Sequence, residues 1–561
     1  MNKLPFSLYK DAFFCFFVLL LSLFVIIPFF QKGYFPTHDG EWAVVRLSDM
    51  YREVKDMQIP PRFSGNLNFG YGYPLFNFAY PFPYYTGLIL IALGVGLVNS
   101  IKILFGLSVI ASSIIMYFLA SRLWVDRYSG VVSSLLYLYL PYRLVDLYVR
   151  GSIGESISFI FFPLIIFCIY QIFHLSHKHL FTVILALSVA ALVMTHNIMT
   201  VLFLPIIFIS VLIIALLKRK TEFFLSIFGV LLGVMLSAFF WIPALVEKNY
   251  IYLSRVPIAD RNLYFVKLSQ LIFPTWGYGT PTDANPFTYQ IGIPHIFSFL
   301  IIFSLAIYYR IKKRDLLASL AIIICSVIVI YILMLFNFTG IIWKSIPLLN
   351  EINYPWTLLA PIGFLISLIA GYGVKFKKLR LVMTGFVLIA VVFILPYAKP
   401  QYMVNKGDQY YLTNDGTTTS SDELMPLWVK EKPVSRFSNK IEVLSNVGVV
   451  KDVFYNSKKI SFKINSPIKE IVRINSIYYP GWKAYINDNA SKISYQNNKG
   501  VMDLVVPAGA NYIQLYFSET PLRLGANIIS IASFMSLIIF IIFSKSDTFR
   551  INLKKLIKYK I

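Results

Sequence analysis

Ionisable residues gather at a few places in a chain otherwise rich in leucine, isoleucine and phenylalanine. His38-Asp39-Gly40-Glu41 opens a stretch, 34–78, that also carries Asp49, Glu53 and Asp56 with Arg46, Arg52 and Arg62. That stretch then turns into proline, glycine, asparagine and aromatic residues. A second group is PYRLVDLYVRGSIGES (141–156), with Arg143, Asp146, Arg150 and Glu155, and a third is Thr195-His196-Asn197. Two aromatic stretches follow. One is FPTWGYG (273–279) around Trp276, ahead of Asp283 and Tyr289; the other is NEINYPW (350–356), with Glu351 and Trp356. A carboxylate can take a proton from a hydroxyl, and an arginine can neutralise a phosphate. Glycine and aromatics in a long loop suit a lid or a stacking wall. Each group also has a structural reading. Asp39 can cap a helix, with Glu41 favouring its dipole. Arg150 and Glu155 can be a plain ion pair, and His196-Asn197 a helix cap. Residues 273–279 can be an ordered surface loop, and Trp356 part of an aromatic belt.

The elements that hold these groups are set by composition. Of 561 residues, 57% are hydrophobic and 14% charged, which describes a polytopic α-helical membrane protein. The net charge of +24 is scattered between apolar runs, so it marks loop sidedness and not a nucleic-acid surface. Cys15, Cys168 and Cys325 all lie in apolar runs and imply neither disulfide nor thiolate metal site. The first apolar run lacks a small-residue cleavage site and reads as a retained anchor. No phosphate-binding loop, dinucleotide fingerprint, HExxH or nucleophile-elbow motif is present.

Apolar runs predict twelve crossings, at 11–30, 101–121, 129–141, 156–173, 180–195, 198–217, 223–241, 293–309, 316–336, 355–372, 381–397 and 524–543. Lys3 and Lys10, Arg122/Arg127, Lys178, Lys218–Lys220, Arg310–Arg314, Lys375–Arg380 and the basic tail 545–561 agree as inside marks only if 81–98 does not cross fully. That run is therefore expected to be a partial span. Both termini fall in the cytoplasm, and the ionisable groups fall on the outer face. A transmembrane domain (1–398) with a long first outer loop (31–82) is then followed by an outer β-rich domain (399–521), a last span (522–544) and the tail. Within the first loop, Ala43, Leu47, Met50, Tyr51 and Val54 make one apolar helix face lying on the membrane, with Arg46, Asp49, Arg52 and Asp56 at polar positions. Alternating segments near the end of 399–521, split by Pro-Gly, Asn-Asp and Ala-Gly, predict a small all-β sandwich. Its Tyr478, Tyr479, Trp482 and Tyr485 read as core, with a sugar-stacking face as the alternative.

The inside anchor, the acidic first loop, the Pro-Tyr…Arg-Gly…Glu second loop and the terminal β-domain resemble the GT-C superfamily. These are integral membrane glycosyltransferases that use polyprenyl- or dolichyl-phosphate sugars. HDGEW…IPPRFSGNLNFGYGYPLFNF, RGSIGES, MTHN and INYPW resemble, more narrowly, bacterial membrane proteins labelled 6-pyruvoyl-tetrahydropterin synthase-related. YYPGWKAYIND is similar to the C-terminal outer domain of large bacterial GT-C-like proteins. The six histidines offer no zinc cluster of the kind the soluble synthase needs.

The resemblance implies Asp39 as general base or metal ligand, with Glu155 as second-loop acid and Asp146 behind it; Glu41 stands beside Asp39 as a further catalytic candidate. Any divalent cation, Mg or Mn, would sit on Asp39 and Glu155. His38, Arg143, Asp146, Arg150, His196, Asn197, Trp276, Glu351 and Trp356 are the expected binding residues. The implied partners are the bilayer of a bacterial plasma membrane, a polyprenyl-phosphate sugar and an envelope glycan, lipid or protein acceptor. Where relatives read Pro-Trp-Arg, this chain has Pro355-Trp356-Thr357. A phosphate would need Arg143, Arg150, Arg255, Arg261 or Lys344 instead. Rival readings are a non-enzymatic lipid or polysaccharide flippase, an export scaffold, or an inactive relative.

Overall fold

A run of about 20 apolar residues in lipid must bond its own backbone, and a helix is the local way to do so. In the computed structural model, which describes residues 7–558 apart from 175, 176 and 274, with side chains to 544, ten helices are long and apolar enough to cross a membrane. They match ten of the twelve expected runs. An eleventh is the pair Lys220–Leu236 and Ala238–Tyr250, bent by 64° at Ser237. The polar groups freed by that bend find partners. Trp241 Nε1 donates to the Val234 carbonyl at 2.9 Å, and the Phe239 N–H donates to Ser530 Oγ at 2.8 Å. Lys3 and the basic side chains beyond Ser544, on which part of the side assignment rests, lie outside the described residues.

The remaining run of the twelve and the expected partial span are both short. The expected crossing 129–141 is the 12-residue helix Arg127–Leu138, about 18 Å long at about 1.5 Å per residue. It is buried from Ser129 to Leu138, and a short helix, Pro141–Val145, and a wide π-type turn, Asp146–Arg150, carry the chain on. A broken helix is tolerated at depth only where protein covers it; helices Leu97–Leu123 and Leu359–Val374 pack on Arg127–Leu138, and Leu359–Val374 and Ile153–His174 reach the turns that follow. The 11-residue helix Phe82–Ala92 is too short to cross, as the charge pattern of 81–98 requires.

The first-loop helix is Gly40–Lys55. Ala43, Leu47 and Met50 are buried as expected, but so are Asp49 and Glu53. The expectation of a helix lying on a membrane with Asp49 on its polar side is therefore corrected. Residues 404–418 run along it: Arg46 donates to Thr418 Oγ1 at 3.1 Å, Arg52 donates to the Leu412 carbonyl, and Tyr34 pairs with Val404.

Eight strands follow: β1 (Ile441–Val443), β2 (Val449–Tyr455), β3 (Lys459–Ser466), β4 (Glu470–Ile477), β5 (Trp482–Ile486), β6 (Asn489–Ser491), β7 (Val501–Val506) and β8 (Gly509–Phe517). They form two antiparallel sheets, β1-β4-β7 and β2-β3-β8-β5-β6. Alternate residues such as Phe462, Ile464, Leu504, Ile513 and Leu515 are buried as core. The three expected turns sit where positive φ is needed: Gly481 (125°), Asn487-Asp488 (48° and 65°) and Gly509 (99°). Tyr479 and Trp482 belong to the core, while Tyr478 and Tyr485 are half-buried.

The β-region is fastened to the bundle by a buried ion pair. Arg523, at the start of the last helix Pro521–Lys558, donates from Nη2 to Glu247 Oε2 at 2.7 Å and from Nε to Oε1 at 3.0 Å. Asn77 Nδ2 (2.8 Å) and Tyr479 OH (3.2 Å) donate to the same carboxylate. Removing one partner strands the rest. Glu247→Ala is expected to lower unfolding stability in detergent by roughly 3–5 kcal/mol, whereas Lys463→Ala, in an exposed pair with Asp452, leaves it unchanged.

Candidate active site

Two loops meet backbone to backbone at the β-region end of the bundle. The His38 N–H donates to the Val149 carbonyl at 3.0 Å, and the Asp39 N–H to the Arg150 carbonyl at 2.8 Å. Two glycines permit this approach. A Cβ on Gly151 (φ 65°) would fall 2.1 Å from Thr37 Oγ1 and 2.9 Å from Gly40 Cα; one on Gly40 would fall 2.3 Å from Thr37 Oγ1. Asp39 occupies the N-cap position of helix Gly40–Lys55, yet its carboxylate makes no cap bond. Thr37 Oγ1 accepts the Gly40 N–H instead, at 2.9 Å. Among the described residues the half-buried Asp39 carboxylate has no hydrogen bond or ion pair. It lies within electrostatic reach of Tyr80, Tyr84, Asp146, Arg150 and Tyr354.

The wide turn Asp146–Arg150 brings residues four apart together and ends on Gly151. Arg150 Nη1 donates to Asp146 Oδ1 at 2.9 Å and to Glu155 Oε2. Tyr142 OH lies 3.2 Å from the same nitrogen and donates to Glu155 Oε1. Ser156 Oγ donates to Asp146 Oδ2 at 2.7 Å. The Arg150 guanidinium also stands 4.6 Å over the Trp356 ring, which packs among Phe287 (5.2 Å), Tyr354 (5.3 Å) and Tyr289 (6.1 Å). One cation therefore serves two fully buried carboxylates, and Asp39 adds a third nearby. Burial, then Glu155, push the Asp146 carboxyl well above its usual range against the pull of Arg150. Burial opposes the Arg150 charge, but Glu155, Tyr142 and Asp146 more than reverse that and hold its pKa well up. Burial, helped by Arg150, pushes His196 down to about 4, so its ring is neutral at pH 7. Its Nδ1 accepts the Met199 N–H at 3.3 Å, and the ring packs on Tyr80 at 5.4 Å.

The structure thus gathers Asp39, Asp146, Arg150, Glu155 and Trp356. His38 sits at the edge, with Nε2 3.0 Å from the Tyr278 carbonyl, and His196 lies close enough to feel Glu155 and Arg150. Other expected site residues have different work. Glu41 accepts from Lys406 Nζ at 2.8 Å and Tyr411 OH at 3.1 Å, which ties down 406–411. Arg143 turns into the bundle, donating to the Ser108 carbonyl at 3.0 Å and to Ser112 Oγ. Glu351 pairs with Lys248 near the surface. Trp276 stacks on Tyr397 at 4.7 Å, and Asn197 is exposed at the head of its helix. A divalent cation on Asp39 and Glu155 does not fit this arrangement, because both Glu155 oxygens are engaged by Tyr142 and Arg150. No group of three His, Cys, Asp or Glu among the described residues is placed to hold a metal. The sequence reading gave no role to Thr37, Tyr142, Gly151 or Ser156; Tyr142 and Gly151 lie in the Pro-Tyr…Arg-Gly…Glu loop it quoted, and glycine after a helical run often marks its end.

Residues 76–401 match the sequence pattern of the 6-pyruvoyl-tetrahydropterin synthase related domain, described as a membrane protein. The chain belongs to the 6-pyruvoyl-tetrahydropterin synthase-related membrane protein family. The family match takes in the Arg150 network, His196 and Trp356, and begins after Asp39. No curated protein matches. Among solved structures, the chain is similar to the apo oligosaccharyltransferase of Archaeoglobus fulgidus (13% identity, TM-score 0.44, 75% of this chain and 61% of that one). It is also similar to the arabinofuranosyltransferase AftD from Mycobacteria (14%, 0.42, 71% and 27%) and to ArnT from Cupriavidus metallidurans bound to undecaprenyl phosphate (12%, 0.37, 69% and 64%). In each case the chain spans less than two thirds of the neighbour's length, and likeness at this level carries no chemistry across to it.

The loop contact yields a direct test. Gly151→Ala is expected to lower stability by roughly 1–3 kcal/mol, because the added methyl meets Thr37 and Gly40. Gly385→Ala, where a Cβ meets nothing within 4 Å, should leave unfolding midpoints unchanged or slightly raised.

Proposed function

We propose that the protein is a membrane glycosyltransferase that takes a sugar from a polyprenyl-phosphate donor and places it on a glycan, lipid or protein of a bacterial envelope. The observation that carries this reading is the Asp39 carboxylate. It has no partner among the described residues, yet two glycines and two backbone hydrogen bonds hold it against the Arg150 network. An acid freed from capping and held in place is what a general base needs.

In this reading the N-terminus and the basic tail are cytoplasmic, and the site opens on the outer side with 399–521 as an outer domain. Asp39 accepts the proton of an acceptor hydroxyl. The hydroxyl oxygen attacks the anomeric carbon, and the carbon–oxygen bond to the phosphate breaks with inversion, releasing polyprenyl phosphate. Arg150 is already matched by Asp146 and Glu155, so its role is to fix the site and not to bind phosphate. Arg261 suits the phosphate better. It donates from Nε to the Ile352 carbonyl at 2.7 Å and from Nη2 to the Asn350 carbonyl, with no ion pair among the described residues. It adjoins the Tyr354-Pro355-Trp356 turn through Tyr264, whose ring meets Tyr354 at 4.9 Å. A cation bonded only to carbonyls keeps its charge for an incoming anion, and Arg261 can thereby serve in place of the arginine that Thr357 lacks.

With purified protein in nanodiscs and a labelled polyprenyl-phosphate sugar, Asp39→Asn is expected to lose transfer by about 10²–10⁴-fold while still binding donor. Unchanged transfer in that variant sinks the assignment. Arg261→Gln is expected to raise the donor concentration for half-maximal rate while sparing donor-saturated turnover, and an unaltered donor dependence removes Arg261 from the role.

A further inference from the structure

The five-stranded sheet has two unlike faces. One packs into the sandwich through Phe462, Ile464, Ile513 and Leu515. Directly opposed residues of neighbouring strands share a face, so the register defines the other. It places Lys451, Lys463 and Tyr512 in one row and Lys459, Tyr516 and Lys483 in another. Between the rows, Gln514 Nε2 donates to Tyr512 OH at 3.3 Å, and the Tyr485 ring meets Tyr516 edge-on at 6.3 Å. Lys459 Nζ stands 5.3 Å over the Tyr516 ring. The face turned away from the core is thus built of ammonium groups, phenol rings and amides.

One end of this face is hollowed into a cleft of about 640 Å³, lined from β2, β3, β8 and the β5–β6 turn. That volume is in the range of small-molecule sites. Two backbone features shape its walls. The edge strand β2 carries one extra residue between Lys451 and Phe454, with Asp452 at φ 54°, and such a bulge bends a strand and re-aims its side chains. On the other side Asn487 turns the β5–β6 hairpin. Its Nδ2 donates to Asn511 Oδ1 at 2.9 Å and its Oδ1 accepts the Tyr512 N–H at 2.7 Å, which fixes that wall to the floor. Asn487 and Asn511 are spent on each other, but the floor keeps free groups. Lys451 and the Asn465 amide have no hydrogen bond or ion pair among the described residues. Lys463 pairs with Asp452 at 2.8 Å, yet both side chains are nearly two-thirds exposed and such a pair is worth little. Lys451 and Lys463 stand directly opposite each other, and like charges so placed repel.

We propose that this cleft binds an acidic oligosaccharide. An anionic group of the glycan sits between the ammonium groups of Lys451 and Lys463 and relieves their repulsion. The Asn465 amide bonds sugar hydroxyls, and the exposed Tyr512 ring offers an apolar face to a pyranose ring. Asp452 is the one acid among the described lining residues, so the charge of the cleft favours an anion. The cations also repeat. Lys459 lies four residues from Lys463 along β3, about 13 Å at a rise of about 3.3 Å per residue. A chain leaving the cleft along the sheet therefore meets a second pair, Lys459 and Lys483. That repeat suits a strand charged on more than one sugar. A walled hollow presents its cations to a chain better than to the plane of a bilayer.

The test is titration calorimetry of the full-length protein in phosphatidylcholine nanodiscs. The probes are a galacturonate hexamer, a phosphomannan fragment and a neutral galactose hexamer. The galacturonate hexamer is expected to bind with an affinity that falls as salt rises, and the neutral hexamer far more weakly. Lys451→Ala and Lys463→Ala are each expected to weaken binding several-fold. Tyr512→Ala is expected to weaken it at low and high salt alike, because ring contact is not screened. Lys463→Ala leaves unfolding stability unchanged, so its loss of binding reads the cleft and not the fold. Asp39→Asn should bind the hexamer as wild type does, which keeps this proposal separate from the transferase reading. Binding of the phosphomannan fragment with the same lysine dependence supports the site with phosphate as its anion. No binding of either acidic probe overturns the proposal, as does equal affinity for the neutral hexamer or an affinity that the lysine changes leave untouched. Lysine-dependent binding to phosphatidylglycerol vesicles, with no binding of either acidic glycan, assigns the face to a lipid surface and equally overturns it.

Discussion

A single guanidinium holding two buried carboxylates is the constraint on which this end of the molecule depends. Arg150 bonds Asp146 and Glu155, rests on Trp356, and through its own carbonyl holds the backbone of Asp39. These residues come from a turn between helices, from the head of helix Ile153–His174, from the 355–358 turn and from the first loop. None can move far without leaving a charge unmatched in a water-poor setting, where such a mismatch is expensive. The same arrangement explains why Arg150 is a poor phosphate ligand. Asp39 is the acid left outside that network, with its carboxylate unengaged among the described residues.

The larger architecture serves that arrangement. The short helix Arg127–Leu138 ends early and leaves the chain to turn through 139–152 inside a protein shell, where a full-length span would have carried Arg150 elsewhere. Residues 404–418 run along the first-loop helix, and the Glu247–Arg523 pair pins the β-region beside it. The first loop is thus sandwiched between the bundle and the β-region, which gives a long charged connection the order that catalysis or specific binding requires.

Long apolar runs and three turn signals made the helices and the sandwich legible, because each is dictated by residues close in sequence. Asp39, Asp146, Arg150, Glu155 and Trp356 were also visible as ionisable or aromatic groups at the edges of apolar runs. What stayed hidden depended on distant partners. Nothing near Glu41 announces Lys406, and nothing near Asp56 announces Ser457, so a helix covered on both faces read as a surface helix. Arg143 and Arg150 share one loop and one chemistry, yet the turn at Asp146 sends the first inward to Ser108 and Ser112 and the second to the carboxylates. Helix Arg127–Leu138 is shorter than the full span expected, because hydropathy is blind to what protein buries; the chain still passes from Arg127, paired with Asp11 at the head of the first helix, to Arg150, bonded to Asp39 beyond that helix's end.

The most direct measurement is a cryo-EM structure of the full-length protein in nanodiscs with a non-transferable polyprenyl-phosphate sugar analogue. The account predicts the anomeric carbon beside the Asp39 carboxylate, the phosphate toward Arg261, and Arg150 still bound to Asp146 and Glu155. Sugar density away from Asp39, or a phosphate that displaces Asp146 and Glu155 from Arg150, would contradict it.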